Sequence, residues 1–227
     1  MVLKTVSILM PIYNGIEFIS ESVQSIINQT FTNWELIIGI NGHPVNSDVY
    51  QTALNFTDAL NDKRIKVIDY PECKGKAHTL NTMLATCEAN YVALLDVDDC
   101  WLIDKLKKQE PFIQKDYDVI GTKCFYFGEG QGIPNIPTGD ISDFNFLQGN
   151  PIINSSSIIK KDLAYWDKDV WGIEDYDLWL RLWRQKRRFY NCPELLVAHR
   201  IHRASAFNAQ GNDKNVEALR LKYAKEK

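Results

Sequence analysis

The sequence of 227 residues contains no apolar run that approaches the length of about 20 residues that a membrane-spanning helix needs. It also has no N-terminal segment typical of a signal peptide, because the first apolar stretch, residues 6–10, is short and runs directly into Pro11. We therefore expect a cytoplasmic protein without a transmembrane segment, for which any membrane contact is peripheral.

Cysteine and net charge are also scarce. The five cysteines are odd in number and no two have the C-x-x-C spacing, which argues against a disulfide framework and against a structural zinc site. The formal net charge is only −3, so the overall charge does not point to nucleic acid as a partner. Hydrophobic residues make up 45% of the chain, which is typical of a globular protein with a substantial core.

The first half of the chain alternates short apolar runs with amphipathic stretches. The runs predict strands at 6–10, 34–38, 64–68 and 91–95, and the stretches between them predict helices. Asn14 and Glu17 have the spacing of a capping box at the start of the first helix. Four βα units in series favour a mostly parallel sheet covered by helices on both faces, with ligands at the carboxyl ends of the strands.

The second half is less regular. Its pattern predicts a helix that starts near Trp101, a Gly- and Pro-rich loop at 128–140 and a strong helix at 173–186. Short strands are predicted at 118–122, 155–160 and 195–198. Residues 208–227 are polar and are expected to be helical in part.

An acidic cluster directly follows the fourth predicted strand. Asp96, Asp98 and Asp99 lie within four residues, so their like charges raise one another's pKa. A hard divalent cation, Mg²⁺ or Mn²⁺, would offset that repulsion and keep open positions for phosphate oxygens. The alternative interpretation is an acidic turn that caps the following helix.

Taken together with other short segments, this cluster resembles family 2 glycosyltransferases of the GT-A fold. The matching segments run in the family's order over about 200 residues. They are VSILMPIYN at 6–14, SIINQTF at 25–31, WELII at 34–38, GKAHTLN at 75–81, LLDVDD at 94–99, GIEDYDLWLRL at 172–182 and RIH at 200–202. The resemblance implies a Rossmann-like, mostly parallel sheet flanked by helices, with a smaller acceptor-side region.

The resemblance also implies the residues that bind a nucleotide-sugar donor and a cation, Mn²⁺ or Mg²⁺. The metal ligands would be Asp98, Asp96 and His202. The donor-binding residues would be Pro11, Tyr13, Asn41, Lys76, Asp96, Val97 and Arg200. For Lys76 and His202, the alternatives are a solvated lysine at a helix start and a structural loop histidine. His43, His78 and His199 are interpreted as structural.

One departure from the family concerns the nucleobase. The usual Asp-Asp-Gly-Ser is replaced by Ile40, Asn41, Gly42 and His43. Asn41 still offers one acceptor and one donor group, so we expect a UDP-sugar, although a plain Asn-Gly turn is also compatible with this segment.

The predicted general base is Asp175, which the resemblance places beside the acceptor hydroxyl. Glu174 and Asp175 begin a predicted helix, where acids also complement the helix dipole, so a purely structural role is the alternative. Of the nearby tryptophans, either Trp166 or Trp171 could stack on an acceptor sugar.

We therefore expect an inverting, metal-dependent hexosyl- or N-acetylhexosaminyltransferase that acts on a glycan, glycolipid or glycoprotein in polysaccharide or glycoconjugate biosynthesis. A nucleotidyltransferase would need a Gly- and Arg-rich loop that residues 11–15 lack, and a non-catalytic relative would not need to keep Asp175. We expect one domain over residues 1–227, with a nucleotide-binding half at 1–100, an acceptor-side half at 101–207 and a C-terminal tail at 208–227.

Overall fold

The computed structural model describes residues 5–203 and 212–225. Four strands and three helices alternate in residues 5–100, which we call the first half. The strands are β1 (Val6–Ile12), β2 (Trp34–Asn41), β3 (Ile65–Tyr70) and β4 (Tyr91–Leu94). The helices are α1 (Ile19–Ile27), α2 (Asp48–Leu60) and α3 (Lys76–Met83). All strand pairs within this half are parallel, in the order β3-β2-β1-β4.

The local sequence explains these elements. All eight residues of β2 are buried, as expected for an apolar strand that has helices on both faces. Helix α1 turns Ile19, Val23 and Ile26 toward the core at helical spacing. Helix α2 begins where the Ser47 hydroxyl accepts a hydrogen bond from the Tyr50 amide at 3.3 Å.

The predicted capping box at Asn14 and Glu17 is wrong. The first turn is a 3-10 turn, Ile16–Phe18, and the residue before it is Gly15, which forms no side-chain cap. Gly15 has a φ of +87°, and a Cβ there would lie 3.1 Å from a methyl carbon of Val97. The close approach of this turn to the acidic loop therefore favours glycine.

We call residues 101–203 and 212–225 the second half. Strand β5 (Cys100–Trp101) spans the boundary between the two halves. The other strands of the second half are β6 (Val119–Gly128), β7 (Gly139–Asp140), β8 (Ile158–Lys160) and β9 (Phe189–Ile201). Its helices are α4 (Lys105–Gln114), α5 (Glu174–Arg184) and α6 (Asp213–Lys225). The sheet continues from β4 in the order β8-β6-β9-β5, with β7 paired to β9. β8 is antiparallel to both neighbours, whereas β6 and β9 are parallel.

Several predictions for the second half were wrong in detail. The helix expected near Trp101 starts at Lys105, because Trp101 belongs to β5. The last strand, expected at 195–198, is the 13-residue β9. The loop at 128–140 contains β7 and a bridge between Tyr126 and Gly132. The expected tail forms α6, although residues 208–211 and 226–227 lie outside the described residues.

Helix α6 packs on α5 and completes the core on that face. Leu219 and Tyr223 are its buried residues. The Tyr223 hydroxyl donates a hydrogen bond to a carboxylate oxygen of Asp177 at 2.9 Å, so a buried acid of α5 is satisfied by α6. Among the helices of the described residues, none is both long and apolar enough to cross a membrane.

Candidate active site

The predicted donor residues meet at the carboxyl ends of β1, β2 and β4. Asn41, the last residue of β2, is 2% exposed. Tyr13 is 56% exposed, and its ring stacks on the ring of His43 with a centroid distance of 5.0 Å. The turn at Gly42, with a φ of +71°, lies against the Tyr13 ring. An exposed aromatic pair therefore stands beside a buried amide, an arrangement that suits a flat polar ring.

Asp96 forms an ion pair with Lys76 at the start of α3. Lys76 Nζ lies 2.5 Å from Asp96 Oδ1, and the Asn154 amide donates to Asp96 Oδ2 at 3.0 Å. Burial raises the pKa of Asp96, but the Lys76 charge and these hydrogen bonds outweigh it, so the pKa is lowered. Burial lowers the pKa of Lys76, but the charges of Asp96, Glu174 and Asp175 outweigh it, so the pKa is raised. Both groups are therefore charged at neutral pH.

Asp98 and Asp99 each contact a histidine at the end of β9: His199 lies in that strand and His202 follows it. Asp98 Oδ2 lies 2.8 Å from His202 Nε2, and Asp99 Oδ2 lies 2.9 Å from His199 Nδ1. Burial raises the pKa of Asp98, as do the charges of Asp99 and Asp96, and the bond to His202 offsets this only in part. The negative charge at Asp98 is therefore less compensated than that at Asp96, and a cation would stabilise it.

Arg200 joins the acidic loop to α1. Its Nε donates to the Asp98 carbonyl at 2.8 Å, and its Nη2 donates to Glu21 at 2.6 Å. The guanidinium lies between two aromatic rings, 4.4 Å from the Phe18 centroid and 4.3 Å from the Phe127 centroid. These contacts fix the position of the positive charge next to the acidic loop.

The donor set fits a divalent cation in part. No three His, Cys, Asp or Glu side chains within residues 5–203 and 212–225 already stand in a metal-holding arrangement. Asp98 and His202 form a carboxylate and imidazole pair, whereas both oxygens of Asp96 are held by Lys76 and Asn154. Mg²⁺ commonly uses one or two carboxylates and completes its shell with phosphate oxygens and water. The pair therefore fits a cation that arrives with a diphosphate.

Asp175 lies in the first turn of α5. The Asn150 amide donates to Asp175 Oδ2 at 3.2 Å. Burial and the charge of Glu174 raise the pKa of Asp175 to about 6, although the Lys76 charge lowers it. The effects of burial and of the Glu174 charge on this pKa therefore outweigh the stabilisation of the charged carboxylate that is expected at the N-terminus of a helix. Even so, the carboxylate is mostly ionised at neutral pH, as a general base must be.

The two candidate stacking tryptophans differ in exposure. Trp166 is fully buried, whereas Trp171 is 55% exposed. The Trp171 ring rests against Gly75, where a Cβ would lie 2.9 Å from the ring. Trp171 is therefore the one with a face for a sugar.

Sequence reasoning missed several residues that contact the predicted site. They are Glu21, His43, Asn150, Asn154 and His199. The prediction that His199 and His43 are structural is not supported by these contacts. Two signals were available in the sequence: His199 is adjacent to Arg200 and near His202, and His43 lies two residues after Asn41.

The arrangement can be compared with known proteins. The sequence profile described as "Glycosyl transferase family 2" matches residues 7–164. The chain belongs to glycosyl transferase family 2. This family assignment covers the acidic loop and the whole of the first half from Ser7 onward.

A curated relative and two solved structures agree with the family. The UDP-Glc:alpha-D-GlcNAc-diphosphoundecaprenol beta-1,3-glucosyltransferase WfgD of Escherichia coli is 31% identical over 160 residues, which is 70% of this chain and 51% of WfgD. The structure of S. aureus TarS residues 1–349 in complex with UDP-GlcNAc matches with a TM-score of 0.77 at 18% identity, over 96% of this chain and 66% of that one. The mannosyltransferase PcManGT of Pyrobaculum calidifontis, in complex with GDP-Man and Mn²⁺, has a TM-score of 0.74 at 14% identity, over 99% of this chain and 65% of that one.

These matches confirm the predicted family and the GT-A fold. At 14–19% identity, the solved structures carry the fold alone. The chain spans about half the length of WfgD and slightly under two thirds of the two solved structures.

Proposed function

We propose that this family 2 member transfers a sugar from a UDP-sugar to an acceptor hydroxyl with inversion at the anomeric carbon, and that Asp175 is the general base. The observation that carries the proposal is a pair of contacts from one short segment of the chain. Asn154 donates a hydrogen bond to Asp96, and Asn150, four residues earlier, donates one to Asp175. The charges of Asp175 and Lys76 also shift each other's pKa. A base and a donor-side ion pair in one cleft are what a single displacement needs.

For the donor, we propose that Pro11, Tyr13 and Asn41 hold the nucleobase. The Asn41 amide is buried beside the exposed Tyr13 ring, which favours recognition by one polar edge and one aromatic face. The name of WfgD gives UDP-Glc as its donor, and TarS was solved with UDP-GlcNAc, which supports a UDP-sugar here. The GDP-Man complex of PcManGT makes a guanine nucleotide the alternative to exclude.

For the metal, we propose that Asp98 and His202 hold Mn²⁺ or Mg²⁺, with Asp96 beside them. The Mn²⁺ complex of PcManGT supports a cation at such a site. When bound, the cation neutralises charge that develops on the departing diphosphate.

The chain's own residues would do the rest. Lys76 and Arg200 would present positive charge to the diphosphate, and Val97 in the acidic loop would contact the donor. Asp175 would accept the proton of the acceptor hydroxyl while that oxygen attacks the anomeric carbon from the face opposite the leaving group. This single displacement inverts the configuration, as it does in inverting glycosidases.

We further propose a glycan, glycolipid or glycoprotein as the acceptor. The name of WfgD describes a sugar linked through diphosphate to undecaprenol, which supports a lipid-linked sugar as the acceptor and, with it, a location next to a membrane. We propose that this location is cytoplasmic. This protein would then contact the membrane only peripherally.

Calorimetry with nucleoside diphosphates tests the donor assignment. We expect UDP to bind more tightly than GDP or dTDP, and we expect its affinity to fall when EDTA replaces Mn²⁺. Asn41→Ala should remove the preference for UDP. His78→Ala, which changes a histidine of α3 outside the predicted nucleobase site, should not remove it. A preference for GDP in the wild-type protein would contradict the assignment of the nucleobase site.

A further inference from the structure

A cavity lies next to Asp175, on the side of helix α6. It has a volume of about 610 Å³ and is lined by the start of α5, by Asn150 and by α6. Cavities of about 300–1,000 Å³ are typical of sites for small ligands. Asp175 lines this cavity, and its charge also acts on Lys76. A ligand in the cavity would therefore meet the proposed base from the side that the donor residues do not line.

Helix α6 presents one face to this cavity. Asp213, Glu217 and Arg220 follow the spacing i, i+4, i+7, which places them on one side of a helix, and all three line the cavity. The buried Leu219 and Tyr223 anchor the helix on α5 through a different set of positions. The cavity wall is therefore a polar helix face whose position is fixed by packing elsewhere.

The charge on the walls favours an uncharged polar ligand. Among the described residues that line the cavity, three carry carboxylates, Asp175, Asp213 and Glu217, and one carries a guanidinium, Arg220. An anionic group would be repelled by this excess of negative charge. Carboxylates instead accept hydrogen bonds from hydroxyl groups, and a sugar ring carries several of these.

Arg220 is a hydrogen-bond donor that lines this cavity and is held in place by a bond to α5. Its Nε donates to the Tyr176 hydroxyl at 3.0 Å, and that hydroxyl donates to the Phe146 carbonyl at 2.5 Å. The bond uses one N–H of a guanidinium that carries five. The remaining N–H groups belong to a side chain that lines the cavity together with three carboxylates and the apolar Ile173 and Val216.

We infer that this cavity is the acceptor subsite, that it takes an uncharged sugar ring, and that Arg220 and Glu217 of α6 determine which sugar is accepted. The inference rests on the proposed function, because it takes Asp175 as the base. Arg220 would donate to a ring hydroxyl or ring oxygen, and Glu217 would accept from a second hydroxyl. The acceptor's reacting hydroxyl would then point at Asp175.

Saturation-transfer NMR in the presence of UDP and Mn²⁺ tests the inference without requiring turnover. The probes are the uncharged methyl glycosides of glucose, galactose and N-acetylglucosamine, compared with methyl glucuronide, whose ring carries a carboxylate. We expect at least one uncharged glycoside to bind and the anionic probe to bind more weakly. Arg220→Gln should weaken that binding about tenfold or more, because it removes a charged hydrogen-bond donor.

Lys214→Gln is the matched control, since Lys214 is an exposed cation of the same helix that does not line the cavity. It should bind the glycoside like the wild type. Equal binding by wild type and Arg220→Gln, tighter binding of an anionic probe, or no binding of any uncharged glycoside would each overturn the inference. UDP binding, measured by calorimetry on the same samples, reports on the proposed function separately. A protein that binds UDP and fails these tests loses the acceptor assignment and keeps the donor assignment.

Discussion

In the first half of the molecule the candidate site lies at the ends of parallel strands and at the start of α3. In the second half Arg200 lies on β9, whereas the acceptor-side residues lie on turns, at the start of α5 and on α6. Asn41 ends β2, and Asp96 follows β4, so the hydrogen-bonded ladder of the sheet fixes both. Asp175 is held instead by one side-chain bond from Asn150. The comparison predicts that changes in the first half, and at Arg200 and His202, act on donor and metal binding. Changes at Asp175 and on α6 should instead act on turnover and acceptor binding.

The largest expected effect is in the first half. Asp98→Ala should lower activity by about 10⁴-fold or more, because charge neutralisation by a metal is worth several kcal/mol and each 1.36 kcal/mol is tenfold in rate. Folding should be unaffected, since the Asp98 side chain is partly exposed at the mouth of the site. Initial rates with Mn²⁺ and the far-UV circular dichroism spectrum check both statements. Asp58→Ala, on the exposed side of α2, is the control, and full wild-type activity in EDTA would contradict the metal assignment.

The second half is tested most directly at Asp175. Asp175→Asn should lower turnover by about 10²–10⁴-fold, the usual contribution of a general base, while UDP affinity stays near the wild-type value. Glu174→Gln should have a smaller effect, and proton NMR of the product should show inverted configuration. A retained configuration, or wild-type turnover in Asp175→Asn, would move the search for the base to Glu174 or Asp177.

The pH dependence of turnover tests the same difference between the two halves, because Asp175 titrates and the donor residues do not determine its pKa alone. Asp175 has a pKa of about 6 and must be ionised to accept a proton, so turnover should be level well above pH 6 and should fall about tenfold per pH unit well below it. The Asn150 bond lowers the pKa of Asp175, so Asn150→Ala should move the acidic limb to higher pH. UDP affinity should not follow this limb. A limb that stays in place in Asn150→Ala would contradict the assigned contact.

A smaller effect, on the free energy of unfolding, is expected from one of the contacts that join the two halves. The Asn81 side chain of α3 donates to the Trp166 carbonyl at 2.7 Å and accepts from the Trp166 amide at 3.0 Å. Asn81→Ala should lower the free energy of unfolding by about 1–3 kcal/mol, the value of two such hydrogen bonds. Urea unfolding measures this change. Asn55→Ala, at an exposed position of α2, should leave stability nearly unchanged, and equal stability of both variants would contradict the contribution assigned to these two hydrogen bonds.

The fold of the first half could be predicted from the sequence because its signals are local. β1, β2 and β4 are mainly apolar runs that are almost entirely buried, and β3 is a partly buried strand at the edge. Helices alternate with these strands, so the order of elements already implies a parallel sheet. The candidate residues of this half follow from that, since strand ends share one edge of the sheet. The family assignment confirmed the resemblance that these segments carry.

The second half could not be predicted as well because its structure depends on pairing over long distances. β9 extends to 13 residues by pairing along the whole of β6, with irregular register near Lys123. The loop at 128–140 gains a bridge from Gly132 only because Tyr126 lies opposite it. Likewise, no local pattern shows that Asn154 bonds Asp96, since 58 residues separate them. The roles assigned to Asp175, Asp98 and the other site residues remain predictions.

The three-residue strand β8 has a consequence for synthesis on the ribosome. β1 to β4 lie within the first hundred residues and can pair with one another before residue 158 has emerged. Until β8 arrives, the outer edge of β4 presents unpaired peptide groups on a wholly apolar strand, the kind of edge that recruits other chains. β8 pairs with that edge and links it to β6. A nascent chain that stalls before β8 would therefore be prone to aggregate. Pairing with β8 protects the edge of β4 from this.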